Sequence, residues 1–184
     1  TQKHFVSVAN NLSKFLFHEN DEIVLETSRS LGNLTRIQTV LRAFKGSRID
    51  EALCILLNHV NKDVVSSTIG IFINLTSCSK EKDSASVVMK DIISNKMELL
   101  EALLSTLRKL SLKYLSISVL ICKVLHNMIS AITDGGLSKQ YQQEKYFLPE
   151  ALRLRFIESL GELVDCARDL QEGDTSNVRE FVKI

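Results

Sequence analysis

A chain of 184 residues, 45% of them hydrophobic, has room for one ordinary domain or about four helical repeats, with apolar matter enough for a continuous core. Lys plus Arg (23) nearly cancel Asp plus Glu (22), so the net charge of +1 lacks the basic footprint of a nucleic-acid binder and the basic segment of a membrane-surface protein. The four cysteines, Cys54, Cys78, Cys122 and Cys166, form no C-x-x-C pair; this argues against a zinc site and reads as free thiols in a reducing, cytosolic-type compartment.

Phe5, Val8, Ala9, Leu12, Phe15 and Leu16 recur at helical spacing and predict an amphipathic helix over 4–17. The polar His18-Glu19-Asn20-Asp21 breaks it and offers Asn20 or Asp21 as the cap of a second helix over 22–36. That helix turns Ile23, Leu31 and Leu34 inward, with Thr27 and Ser30 small enough for close packing. A short helix over 37–44 ends at Lys45-Gly46-Ser47. Helices over 50–58 and 63–77 then repeat the first pair, with the short helix added between. Residues 79–86 (SKEKDSAS) have no periodicity and read as an exposed loop, and 87–94 as another short helix.

Leu99, Leu100, Leu103, Leu104, Leu107 and Leu110 mark the buried side of a helix over 97–110. The long helix over 114–132 that follows carries Lys123, His126 and Asn127 in its interior. A bilayer penalises such groups heavily, so this is a helix of a soluble core. Asp134-Gly135-Gly136 ends it, and 137–148 is polar with room for one weak helix. Pro149 stands where a last helix starts, over 150–170, with Leu152, Leu154, Phe156, Ile157, Leu160, Leu163, Val164 and Ala167 periodic. Gly173-Asp174 stops it, leaving 175–184 as a short docking helix or a tail. No alternating Val/Ile/Thr run calls for a strand, and no apolar stretch near the start suggests a signal peptide. The first residue is Thr1 and the chain opens straight into a helix, so the expectation is a piece of a longer protein.

The helix endings repeat. Leu31-Gly32-Asn33-Leu34-Thr35 returns as Phe72-Ile73-Asn74-Leu75-Thr76 and more loosely as Leu125-His126-Asn127-Met128-Ile129, at intervals of 41 and 53 residues. Repeats of roughly 40–47 residues built only from helices mark helical arrays. These endings, with Asp21-Glu22-Ile23-Val24 and Asp63-Val64-Val65 ahead of them, resemble the armadillo-repeat family. The resemblance implies an all-α, right-handed α-solenoid over 1–172 of about three units plus a terminal helix. The units fall at about 4–36, 37–78 and 79–134, with a degenerate unit at 135–172 and a tail at 173–184. Within the family the segments are most similar to a ciliary member, which implies a non-catalytic adaptor or scaffold, cytoplasmic or in a cilium or axoneme, serving radial-spoke assembly or transport.

In that family a third-helix Asn faces the concave groove and bonds the backbone of an extended partner. The resemblance carries this role to Asn33, Asn74 and Asn127, whose amides offer donor and acceptor alike. An equally weighted reading has each Asn bonding the neighbouring repeat and fixing the stack. Helical spacing adds Arg29, Gly70 and Lys123 four residues before, and Arg36, Ser77 and Ser130 three residues after. The expected groove is polar and locally basic, suited to an acidic or mixed helix or strand of a partner protein. The nuclear-import branch of the family carries Trp four before the Asn; this chain has no Trp and has Arg29 and Lys123 there, which puts a karyopherin-like transport receptor for basic peptides in doubt. A purely architectural segment is the other alternative.

Other residues carry blander readings. His4, His18, His59 and His126 form no i, i+4 pair to hold a metal, and no cofactor motif is present. Cys122 and His126 share a helix face, but a catalytic pair needs an orienting third group and a pocket. Three glycosylation-like triplets, at Asn11, Asn33 and Asn74, fall inside predicted helices.

Overall fold

The computed structural model describes residues 2–44, 49–77, 96–110 and 114–133, together with 157, 158, 161, 164 and 165. The regular elements among them are all helical. They are α1 (Gln2–Leu12, continued by a 3-10 turn at Ser13–Phe15), α2 (Asp21–Leu34), α3 (Gln38–Ala43), α4 (Ile49–Leu56), α5 (Lys62–Thr76), α6 (Lys96–Leu110) and α7 (Leu115–Thr133). Each begins and ends within a few residues of the position that periodicity predicts, except that the helix expected over 4–17 tightens into the 3-10 turn after Leu12. The loop over 79–86, the short helix over 87–94 and the weak helix within 137–148 lie outside the described residues. Of the helix over 150–170, only the five described residues can be placed, and all five are helical.

The starts of α2 and α5 are set by the same device. Asn20 and Asn61 take up extended backbone and their side-chain oxygens accept the N–H groups of Glu22 and Asp63, at 2.8 and 2.9 Å. Asp21 and Glu22 in one first turn, and Asp63 in the other, add negative charge beside the positive helix ends. Between the choices that the sequence left open, Asn20 is the cap.

Helices pair as α1 with α2, α4 with α5 and α6 with α7, and the second members stack: α2 lies on α5, and α5 on α7. The core runs unbroken through these layers from Ala9 to Met128. Equivalent positions fill it row by row: Leu31, Phe72 and Leu125 form one row, Leu16 and Leu57 another, Thr27 and Thr68 a third. Each large side chain buried this way contributes about 1.5–3 kcal/mol, so the rows supply most of the stability. Polar contacts tie one layer to the next. The Thr106 hydroxyl, aimed chiefly at Ala102 O 2.7 Å away, lies 3.2 Å from the Leu57 carbonyl, Lys109 donates to Asn58 Oδ1 at 2.9 Å, and the Lys62 ammonium sits 4.8 Å from the centre of the Tyr114 ring.

Several apolar positions that periodicity marks are exposed, Phe5 at 41% among them. Ile23, expected inside, is 38% exposed, because nothing described lies on that side of α2. Phe15 follows it at 46%, on the turn leading away from α1. Ile157 and Val164 are exposed too. Among the described residues, no helix is long and apolar enough to cross a membrane.

Gly70 lies within α5, and beyond the helix's own backbone no described atom comes within 4 Å of where a Cβ would stand. Glycine costs a helix about 0.5–1 kcal/mol relative to alanine. Gly70→Ala is therefore expected to raise the unfolding free energy by about that amount in urea titrations; a loss would mean that the bare backbone is needed at this point.

Candidate interaction surface

The surface is built by the C-terminal halves of α2, α5 and α7. A helix end leaves carbonyls without intrahelical partners, and something must reach them. At the end of α2 the chain tightens: Thr35 N–H donates to Leu31 O and Arg36 N–H to Asn33 O, passing over the carbonyl of Gly32. That carbonyl is taken from the next layer. The Asn74 amide nitrogen donates to Gly32 O at 2.7 Å and to Thr35 Oγ1 at 3.0 Å, while the Thr35 hydroxyl donates to Gly32 O at 2.9 Å. Three groups close on one another with both amide protons used.

One layer further the rung recurs with the same offsets. The Asn127 nitrogen donates to Ile73 O and Thr76 Oγ1, both at 3.3 Å. It is looser for a local reason. Ile73 O already accepts Ser77 N–H at 2.8 Å, and the Thr76 hydroxyl is aimed chiefly at Phe72 O, 2.7 Å away. Since each Asn reaches residues flanking the previous one's position, Asn33, Asn74 and Asn127 follow one line across the three helices.

Their chemistry is unequal. Asn74 and Asn127 are half-buried, and their amide protons are committed to the layer before them. Their Oδ1 atoms accept no hydrogen bond among the described residues. Asn33 is exposed and its whole amide is free among the described residues. Asn33 thus keeps both donor and acceptor unengaged among the described residues, whereas Asn74 and Asn127 keep only an acceptor.

No family model, curated protein or solved structure matches this chain.

Around the asparagines, Arg29, Arg36 and Lys123 are exposed. Arg29 is paired with Glu26 one turn earlier on its own helix, which lowers its share of the positive field. Ser77 is exposed, and its hydroxyl turns back to donate to Asn74 O at 3.0 Å. Ser130 lies within α7, its side chain outside the described residues. Gly70 leaves a bare step between the positions of Arg29 and Lys123. What this strip displays is cationic heads at Arg29, Arg36 and Lys123, two amide acceptors and one complete amide.

A second motif lies in two of the histidines, whose lack of i, i+4 spacing argues only against a metal. His18 Nδ1 accepts Asn20 N–H at 3.0 Å, and 41 residues on His59 Nδ1 accepts Asn61 N–H at 3.1 Å. The signal was the repeated His-x-Asn before each second helix. An accepting Nδ1 places the ring proton on Nε2, and in His59 that atom is 3.5 Å from Asp21 Oδ1 in the layer before. These histidines shape turns and join layers.

Among the described residues no three His, Cys, Asp or Glu side chains gather as metal ligands. Cys54 and Cys122 are half-buried; Cys78 and Cys166 lie outside the described residues. Burial pushes the Cys122 thiol above the ordinary range for cysteine, because the thiolate would be poorly solvated. Thiolate is the reactive form, so Cys122 is expected to react several-fold more slowly than free cysteine with a maleimide at pH 7.5. Mass spectrometry of the modified peptides over time checks this, and labelling at the rate of free cysteine would contradict it.

Proposed function

We propose that the chain is a segment of a right-handed, armadillo-like α-solenoid and acts as a non-catalytic adaptor that holds an acidic or mixed segment of a partner protein along α2, α5 and α7. The observation that carries this reading is the line of Asn33, Asn74 and Asn127 across three stacked helices, flanked by the exposed cations Arg29, Arg36 and Lys123. Free Oδ1 acceptors suit backbone N–H groups of an extended chain, and the cations suit carboxylates between them. The bare backbone at Gly70 gives a partner side chain room to approach. The ciliary or axonemal setting, with a role in radial-spoke assembly or transport, belongs to the same proposal and rests on the resemblance of the helix endings alone.

A second reading, that the segment is purely architectural, draws on the Asn74 and Asn127 amide protons being used inside the stack. One experiment separates the readings. An array of acidic, neutral and basic peptides is probed with the chain and with the R29E/R36E/K123E variant. Retention of acidic peptides, weakened about tenfold by the charge reversal, is the expected result; tenfold corresponds to about 1.4 kcal/mol. Preference for basic peptides would point instead to a transport receptor, and no retention at all to architecture.

A further inference from the structure

The three cations of the strip are not alike. Arg29 is held by Glu26 on its own helix. Arg36 and Lys123 are exposed and make no ion pair among the described residues. They stand at opposite corners of the surface. Arg36 follows Asn33 by three residues in the first layer, and Lys123 precedes Asn127 by four in the third. Between them the middle layer holds no charged residue from Ser67 to Ser77.

This spacing sets the shape of a ligand that uses both cations. Seven helix positions amount to about 10 Å along the axes, and two interhelical steps to about 16–20 Å across them. The two cations are therefore roughly 20 Å apart, a span that an extended chain covers in about six or seven residues at about 3.3 Å each. A helix needs about 14 residues for it, and the N–H groups of those residues are bonded within the helix. The Oδ1 atoms of Asn74 and Asn127, unengaged among the described residues, call for N–H groups that are not, and an extended chain supplies them.

Midway along such a chain lies Gly70. Beyond the helix's own backbone, no described atom comes within 4 Å of a Cβ added there. Its counterparts in the flanking layers are the long Arg29 and Lys123, so the middle layer forms a step that a large side chain can fill.

We propose that the groove takes an extended segment of a partner protein with two carboxylates about six or seven residues apart and a large apolar side chain midway. The carboxylates meet Arg36 and Lys123, and the middle side chain meets the step at Gly70. This ligand presupposes the groove reading, in which α2, α5 and α7 hold a partner. Arg29, kept by Glu26, is not a third carboxylate site.

Fluorescence anisotropy of labelled peptides against the whole 184-residue chain tests the assignment. The peptides hold two glutamates three, six, seven or ten residues apart, at constant net charge, with leucine or glycine midway. Spacings of six and seven with leucine are expected to bind at least about fivefold tighter than the others. Gly70→Leu should remove the advantage of leucine and leave the glycine peptides unchanged; if that variant melts early, leucine against glycine on the parent chain decides. R36E should be rescued by lysine in place of one glutamate and K123E by lysine in place of the other. Equal binding at every spacing, no advantage of leucine on the parent, or rescue of both variants by the same lysine overturns the proposal and leaves the groove reading standing. No acidic peptide bound at millimolar concentration overturns both. Glu144 and Glu150, outside the described residues, have the same spacing in the sequence, around Tyr146 and Phe147. The E144Q/E150Q variant is expected to bind the peptides as the parent does. A gain of about fivefold would mean that the chain's own segment competes for the groove, and would overturn the assignment to a partner.

Discussion

Asn74→Ala is expected to lower the unfolding free energy by about 2–3 kcal/mol, Asn127→Ala by about 1 kcal/mol, and Asn33→Ala by less than about 0.5 kcal/mol. The order follows from what each amide touches. Asn74 donates twice, at 2.7 and 3.0 Å, and supplies a carbonyl that the end of α2 leaves unserved by backbone. Alanine removes both bonds and strands part of that carbonyl's capacity inside the stack, where an unmet polar group costs more than a bond is worth. Asn127 donates at 3.3 Å to a carbonyl that already has a backbone partner, so less is lost. Asn33 has nothing to lose in the free protein. Urea midpoints of the three variants give the series, and Asn74→Asp sharpens it: shape is kept, both donors vanish, and a carboxylate faces the Gly32 carbonyl. A cost at position 74 no greater than at position 33 would remove the rung from the account of how the layers hold together.

The same residues show what could be read from the sequence and what could not. Helices were legible because apolar residues recur at their period, and helix endings because Leu-Gly-Asn-Leu-Thr recurs as Phe-Ile-Asn-Leu-Thr. Which side of an asparagine faces a neighbour was not. An amide has two ends, and the sequence cannot say that the nitrogens of Asn74 and Asn127 point into the stack while their oxygens stay free. Nor does periodicity distinguish a face covered by another layer from one left open, since both require the same apolar spacing. Ile23 and Phe15 were misplaced for that reason. The histidine turns were present at the 41-residue interval, but a histidine accepting one backbone N–H has no composition signal of its own. Matching His18-x-Asn20 with His59-x-Asn61 would have found them.

Phe72→Ala is expected to cost about 3–5 kcal/mol, the largest loss from any single truncation considered. Phe72 is fully buried in the C-terminal half of α5, which packs on both α2 and α7. Its counterparts, Leu31 before and Leu125 after, are smaller, so the middle layer holds the bulk of this row. Truncation removes the transfer energy of a ring and leaves a cavity that two fixed neighbours cannot close. Phe72→Leu, which restores the residue type of the flanking layers, should cost about 1–2 kcal/mol, and Ile55→Ala, at a side chain 62% exposed, no more than about 0.5 kcal/mol. Because α5 packs on both α2 and α7, weakening it loosens both interfaces at once. Urea unfolding of F72A should therefore lose steepness as well as shift its midpoint, the outer layers no longer melting together. An unaltered slope with a loss below about 1 kcal/mol would mean that α5 does not transmit cooperativity between α2 and α7, and that the layers are held together at their outer helices, where Thr106 reaches Leu57 and Lys109 reaches Asn58.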